Sequence, residues 1–89
     1  MERLKLALEE RLPQLLPGAR VEIDPLRRGF KLSGIIVWSG FENQEPIDRQ
    51  HILWGKLKTH FSREDQLRIT MLITLTPAEY AVHREPQMA

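Results

Sequence analysis

The 89-residue chain contains no cysteine. This absence excludes disulfide bonds, thiolate catalysis, zinc sites with cysteine ligands and an iron–sulfur cluster held by the chain's own thiolates, and it is consistent with a reducing compartment. No stretch approaches the roughly 18 consecutive apolar residues that a membrane span requires. Residues 1–5, Met-Glu-Arg-Leu-Lys, also lack the apolar core of a secretory signal. We therefore expect a cytoplasmic protein that does not bind membranes.

Excess charge of either sign is also lacking. Thirteen Lys and Arg residues balance twelve Asp and Glu residues, which gives a formal net charge of +1. Because nothing global draws such a chain onto nucleic acid, any basic binding surface must be local. The contents of apolar residues (42%) and charged residues (28%) are ordinary for a globular protein. A chain of this length forms one domain with a single core, burying about 60–65% of its extended surface.

The first third of the chain predicts a helix followed by a strand. Leucines recur along one face of residues 1–16, which predicts an amphipathic helix docked on the core. We expect Pro13 to kink or break it and Pro17-Gly18 to end it. A membrane-surface helix is the alternative, but the mixed charges of its polar face argue against it. Val21 and Ile23 alternate with charged residues as in a half-buried strand, which Pro25 ends.

A second strand is predicted over residues 30–38, where β-branched and aromatic residues are dense. Gly34 within it suggests a bulge or the close approach of another backbone. The link to the first strand is short, and we therefore expect the two strands to form an antiparallel hairpin.

The stretch from residue 41 to residue 80 predicts helix, strand and helix. Pro46 and Asp48 mark the start of a helix that reaches about His60, and Ser62 is expected to cap one further turn. Residues 67–75 form the densest β-prone run, which predicts the most buried strand of the sheet. Thr76-Pro77-Ala78-Glu79 is a capping box that starts a last helix ending near residue 84. The apolar stripe of the middle helix, with a gap at Gln50 and His51, comprises Ile47, Leu53, Trp54, Leu57 and Phe61.

The predicted element order is α-β-β-α-β-α. This order predicts an α+β fold in which helices pack on one face of a three-stranded sheet. We expect one compact domain over residues 1–84, followed by a frayed tail at residues 85–89.

Three segments resemble the BolA family, whose fold is close to the type II KH domain. Phe30-Lys31 before an apolar strand resembles the start of that family's second strand. Phe41, followed eight residues later by Arg49-Gln50-His51 and then Ile52-Leu53-Trp54, resembles its Phe…Arg-His-Arg-x-Val-Tyr pattern. Thr76-Pro77-Ala78-Glu79-Tyr80 resembles its closing Thr-Pro-x-Glu-Trp.

The resemblance implies an interaction with a monothiol glutaredoxin. BolA proteins share an iron–sulfur cluster with that partner through a His or Cys between the first two strands and a His at the start of the third. Here Gly29 stands where a His often precedes the Phe-Lys pair, and Arg68 replaces the second ligand. Because iron needs imidazole, thiolate or carboxylate donors, we expect no cluster, no metal site and no cofactor.

Catalytic patterns are not found in the sequence. His51 and His60 are nine residues apart on one predicted helix, so they point to opposite faces and cannot share a metal ion with each other. No serine lies in a nucleophile motif, no pair of acids stands out, and no glycine-rich phosphate loop precedes a helix. We therefore predict that the protein is not an enzyme.

Two functional hypotheses follow. The first is a non-enzymatic protein-interaction or regulatory module in which Arg49, His51 and Arg68, at the polar motif positions of the BolA family, bind a protein partner. The second is a KH-like nucleic-acid binder, although the chain lacks the Gly-x-x-Gly loop and a solvated mixed-charge surface is the plain alternative. Its basic residues would be Arg27, Arg28, Lys31, Arg49, Lys56 and Lys58.

Overall fold

The computed structural model describes residues 3–25 and 31–84. The elements follow the predicted order, with a short 3-10 turn at Ser39–Phe41 as an addition. The further turn predicted after Ser62 is present as a short helix before the third strand. The predicted tail at residues 85–89 and the predicted start of the second strand at Phe30 lie outside the described residues. The elements are α1 (Arg3–Leu15), β1 (Arg20–Pro25), β2 (Leu32–Val37), α2 (Pro46–His60), α3 (Arg63–Leu67), β3 (Ile69–Leu75) and α4 (Pro77–Arg84).

The three strands form one mixed sheet in the order β1-β2-β3. β1 and β2 are antiparallel, as the hairpin prediction requires, whereas β2 and β3 are parallel and are joined by α2 and α3. Gly34 pairs with Ile23 across the hairpin. A Cβ atom on Gly34 would lie 3.2 Å from the Cα of Ile23 and closer still to the carbonyl oxygen of Glu22. This glycine therefore permits the close backbone approach that the sequence suggests.

The core lies between one face of the sheet and the helices α1 and α2. Phe41, between β2 and α2, is wholly buried. The prediction of helices packed on one face of the sheet is confirmed for α1 and α2. The cluster is built from Leu4, Leu8 and Leu12 of α1, Leu53 and Leu57 of α2, and Ile23, Ile36 and Leu72 of the sheet.

α1 continues through Pro13 to Leu15, so of the expected kink or break at Pro13 the break does not occur. The missing N–H of Pro13 removes one hydrogen bond, but Leu12 and Leu16 on either side are fully buried and hold the helix against the sheet. The predicted end of the helix is confirmed, because Gly18 takes a left-handed φ of 86° after the last turn.

Two predictions about the middle of the chain are wrong in detail. Ile47 is 65% exposed and does not belong to the buried stripe of α2. Its place is taken by Arg49, whose guanidinium forms hydrogen bonds inside the protein. β3 begins at Ile69 instead of residue 67, because the Ser62 side chain caps α3 by accepting a hydrogen bond from the Asp65 N–H (3.1 Å).

The third strand is not the most buried one. β2 is central, whereas β3 lies at the edge of the sheet. Leu72 and Thr74 face the core, while Met71 and Ile73 are 56% and 41% exposed. The apolar run of β3 therefore covers two faces, of which only one is packed against helices.

The second face of the sheet is covered at one end by α4. The hydroxyl of Tyr80 donates a hydrogen bond to the carboxylate of Glu22, and the guanidinium of Arg20 lies 5.1 Å from the centre of the Tyr80 ring. Both β1 residues alternate with Ile23 and so point away from the core. Val37, their neighbour on β2, is consequently buried outside the main core cluster.

Candidate functional site

A groove of about 420 Å³ runs between α2 and the edge strand β3. Pro46, Gln50 and Trp54 form its helical wall, because residues spaced by four lie on one side of an α-helix. Residues 70–74 form the other wall. Trp54 on the helical side and Met71 and Ile73 on the strand side make the lining of this α2–β3 groove predominantly apolar.

β3 exposes backbone hydrogen-bonding groups along the groove. The Trp38 N–H donates a hydrogen bond to the carbonyl oxygen of Leu75 (3.0 Å). The backbone N–H and C=O groups of Leu75, and of every second residue before it in β3, therefore point towards β2. The backbone groups of Leu72 and Thr74 consequently point away from β2. An edge of this kind is a template on which another strand can pair.

Two consecutive side chains of α2 donate hydrogen bonds to backbone carbonyl groups of this edge. The Nε2 atom of Gln50 donates to the carbonyl oxygen of Leu72 (2.8 Å), and Nη1 of Arg49 donates to that of Thr74 (3.2 Å). Trp54 fixes the Gln50 amide by donating from Nε1 to Oε1 (3.1 Å). The side chains thus stand where the N–H groups of a neighbouring strand would lie. The N–H groups of Leu72 and Thr74 have no acceptor within residues 3–25 and 31–84.

Arg49 ties the start of α2 to the start of α4. Its Nη1 and Nη2 atoms donate to the two carboxylate oxygens of Glu79 (2.7 and 3.2 Å), and Nε donates to the carbonyl oxygen of Gln44 (2.9 Å). Such two-pronged contacts are among the stronger hydrogen bonds in proteins. They explain how an arginine fits a position where the helix otherwise buries leucines.

Glu79 is also held by the predicted capping box, which is confirmed. The Thr76 N–H donates to Oε1 of Glu79 (2.9 Å), and the Glu79 N–H donates to Oγ1 of Thr76 (3.2 Å). Hydrogen bonding from Arg49, followed by that from the Thr76 N–H, lowers the pKa of Glu79 from 4.5 to about 2. The contact with Glu79 raises the pKa of Arg49 above its ordinary value. Both groups are therefore charged near neutral pH, and the pair acts as a fixed brace.

The structure separates the three residues predicted to bind a protein partner. Arg49 is buried in the brace beside the groove, and His51 is exposed on α2 next to Gln50. Arg68 lies between α3 and β3, where it lines a different cleft with residues of α1. Arg49 and His51 thus flank the α2–β3 groove, whereas Arg68 does not.

The residues of the nucleic-acid hypothesis are likewise divided. Arg27 and Arg28 lie outside the described residues. Lys56 and Lys58 are exposed on α2, and Nζ of Lys31 donates to the carbonyl oxygen of Leu67 (2.9 Å). Arg49 shares no exposed surface with them, because it is only 9% exposed.

The sequence-based prediction did not identify the groove-lining residues. Pro46, Gln50 and Trp54 are spaced by four residues, and this spacing is a usable signal for one helix face. It was obscured because Gln50 falls in the gap of the apolar stripe. The exposure of Met71 and Ile73 has no comparable signal, since the same apolar run is compatible with a central strand.

Metal-binding side chains do not converge in the described parts of the chain. Residues 3–25 and 31–84 contain no group of three or more His, Cys, Asp or Glu side chains that could hold an ion. His51, His60 and His83 are all exposed. Within the same residues, no helix has the length and apolar character needed to cross a membrane.

Comparison with known proteins adds no family assignment. No protein-family model matches the chain, and no curated protein matches it.

Proposed function

We propose that this protein is a non-enzymatic docking module that binds an extended segment of a partner protein in the α2–β3 groove. The observation that carries this proposal is an apolar groove along a strand edge whose Leu72 and Thr74 N–H groups have no acceptor among the described residues. Peptides commonly bind such sites by adding a strand, with main-chain hydrogen bonds for affinity and side-chain pockets for specificity. In this groove, the edge of β3 would supply the main-chain hydrogen bonds, and the surface beside Trp54 would supply the side-chain pocket.

The occupant is a single extended chain. A strand added to β3 would lie about 4.8 Å from it, between the edge of β3 and the side of α2. A second copy of this protein would bring its own α2 against the same edge, because Gln50 and Arg49 hold that helix over β3 in each copy. The partner segment is extended, and it is uncharged where it meets β3 because the groove lining contains no charged residue among those that the structure describes. Because side chains alternate between the two faces of a strand, those on one face of the segment would contact Trp54 and those on the other would contact Met71 and Ile73.

Gln50 is the residue that an incoming strand meets first. Its amide already donates to the Leu72 carbonyl, so a strand either replaces this bond or shares the oxygen, which has two lone pairs. In both cases the N–H groups of Leu72 and Thr74 gain acceptors. Binding thus satisfies groups that the free protein leaves to solvent, which favours a strand over a helical ligand.

The BolA resemblance supplies one candidate partner and a regulatory role. A monothiol glutaredoxin is the partner class that it implies, and the replacement of a cluster ligand by Arg68 supports docking without an iron–sulfur cluster. Co-purification of the two proteins tests this assignment. A cluster-type absorption spectrum in the complex would contradict docking without a cluster.

The docking mode is tested with a labelled, capped peptide of alternating valine and threonine flanked by lysines. Fluorescence anisotropy measures its binding to the wild-type protein and to Ile73→Lys, which places a charge on the groove wall. Val82→Lys is the matched control, because Val82 is a β-branched residue that is 65% exposed and lies outside the groove. A second peptide, N-methylated at alternate amides, removes the strand-forming hydrogen bonds.

We expect saturable binding of the first peptide and weakening by at least about tenfold in Ile73→Lys, because edge lysines block strand pairing. Val82→Lys and the wild-type protein should bind alike. The methylated peptide should not bind. Equal affinity of the two lysine variants, equal binding of both peptides, or no binding of either would refute strand addition at this edge.

A further inference from the structure

A second cleft, of about 330 Å³, lies between α1 and α3, apart from the α2–β3 groove. Arg3, Ala7 and Arg11 face it from α1 at intervals of four residues. Ala7 has a small side chain, which leaves space between the two arginines. The remaining lining residues are Leu4, Phe61, Asp65 and Arg68.

Among the described residues, the lining of this α1–α3 cleft carries a net positive charge. Its lining carries three arginines and one aspartate, so the formal balance is 3 − 1 = +2, against +1 for the whole chain. Neither Arg3 nor Arg11 forms an ion pair with a carboxylate in residues 3–25 and 31–84. Lys31 adds a further cation nearby, because its Nζ donates to the carbonyl of Leu67, next to Arg68. Clefts lined by one sign of charge concentrate ligands of the opposite sign.

Arg11 is held in position by its surroundings. Its guanidinium lies 5.4 Å from the centre of the Phe61 ring, and Nη1 donates to the carbonyl oxygen of His60 (3.3 Å). Nε and Nη2 donate to no acceptor among the described residues. An arginine fixed on an aromatic ring loses less freedom when it binds a ligand, which favours a planar two-pronged contact with an anion.

From this arrangement we infer that the α1–α3 cleft binds a phosphate group. Arginine forks match the oxygens of phosphate, and two of them in one cleft permit contact from two sides. This site goes beyond the proposed docking function, because it shares no lining residue with the α2–β3 groove. The phosphate belongs to a free ion, a nucleotide or a nucleic-acid backbone, all of which present the same chemistry.

Isothermal titration at low ionic strength distinguishes these sources. The probes are inorganic phosphate, adenosine 5′-monophosphate and a single-stranded oligonucleotide, added in turn to the wild-type protein. The test variant is Arg3→Gln, because Arg3 is exposed and no hydrogen bond or ion pair of its side chain is formed with the described residues. Arg63→Gln is its matched control: it removes the same charge from an exposed position on α3 outside the cleft lining.

We expect saturable binding of at least one probe and a loss of about tenfold in Arg3→Gln, the size of one lost charged hydrogen bond. Arg63→Gln should change affinity much less. The probe that binds best identifies the source of the phosphate, and steep weakening with salt would mark the oligonucleotide. Absence of binding by all three probes, or equal losses in the two variants, would overturn the inference.

Discussion

Arg49 is the residue on which the junction of α2, β3 and α4 depends. Its four hydrogen bonds reach the Gln44 and Thr74 carbonyls and both carboxylate oxygens of Glu79. A charge is tolerated in a buried position when its donors are satisfied in this way. The same contacts hold α2 over the edge of β3 and so shape one end of the groove.

Replacing Arg49 by alanine should therefore destabilise the protein. The Gln44 and Thr74 carbonyls lose a donor, and a buried volume is left empty, which together cost about 2–3 kcal/mol of unfolding free energy. Urea unfolding followed by circular dichroism measures the change. Arg63→Ala, at an exposed position, is the control and should change stability by less than about 0.5 kcal/mol. Equal stability of the two variants would show that the brace contributes nothing.

Glu79 makes the stability of the protein depend on pH in a defined window. Its pKa is about 2 in the folded chain and 4.5 ordinarily, so the folded state favours the ionised form. The contribution is fully present above pH 4.5 and is lost as the pH falls towards about 2.

Thermal unfolding of wild type and Glu79→Gln across this range tests the window. The difference in Tm between them should be constant near neutral pH and should shrink as the solution is acidified. Glu42→Gln, which alters an exposed carboxylate outside the brace, serves as the control. A difference for Glu79→Gln that does not vary with pH would contradict the assignment.

Of the contacts made by Glu79, the sequence alone predicts one and not the other. The capping box of Thr76 and Glu79 is readable because its two members are three residues apart. The hydrogen bonds between Arg49 and Glu79 cannot be predicted from the sequence, since 30 residues separate the two and only the fold brings them together. Surface and buried arginines have the same local sequence signals.

At the scale of the elements, the hairpin of β1 and β2 depends on a close approach at Gly34. The backbone of β1 leaves no room for a side chain there, because the Glu22 carbonyl and Ile23 lie against the Cα of Gly34. The contact positions Glu22 and Arg20 on the second face, where Tyr80 of α4 binds them. One glycine thus influences how α4 is anchored.

Gly34→Ala should destabilise the fold by about 1–3 kcal/mol, the usual cost of overpacking a filled site. Gly55→Ala is the matched substitution, since a Cβ on Gly55 in α2 meets nothing within 4 Å. It should instead stabilise the helix by about 0.5–1 kcal/mol. Chemical denaturation of both variants measures the contrast, and effects of the same sign would be inconsistent with the packing described.

The sequence predicts that β3 is a strand but not where it lies in the sheet. Its apolar run fits a central strand, yet Met71 and Ile73 face outwards from an edge. The position of β3 depends on which strand it pairs with after the chain has passed through α2 and α3, and local strand propensity does not determine this pairing. The candidate groove could not be predicted for the same reason: it exists only because β3 is at the edge.

At the scale of the whole molecule, the two proposed sites lie at opposite parts of α2. Pro46, Gln50 and Trp54 border the groove, whereas the His60 carbonyl at the far end of this helix accepts a hydrogen bond from Arg11 beside the cleft. A helix of this length spans roughly 20 Å. A partner segment and a phosphate-bearing ligand therefore have room to bind at the same time.

The element order and fold class follow from the sequence because each element has a local signature. Pro46 starts α2, Ser62 caps α3 and Gly18 ends the first helix region, as their residue types predict. The two clefts do not follow from it, since each is formed by residues from elements that are distant in the chain. Tertiary packing alone places Arg11 beside Phe61 and the Gln50 amide against the Leu72 carbonyl.

The most direct test of strand addition in the α2–β3 groove is amide hydrogen exchange, measured by NMR with and without the alternating valine–threonine peptide. The N–H groups of Leu72 and Thr74 point away from β2, so they should exchange fast in the free protein and several-fold more slowly in the complex. Those of Met71 and Ile73, which face β2, should change little. Binding that leaves Leu72 and Thr74 unprotected, or that protects the edge of β1 instead, would contradict the proposed docking mode.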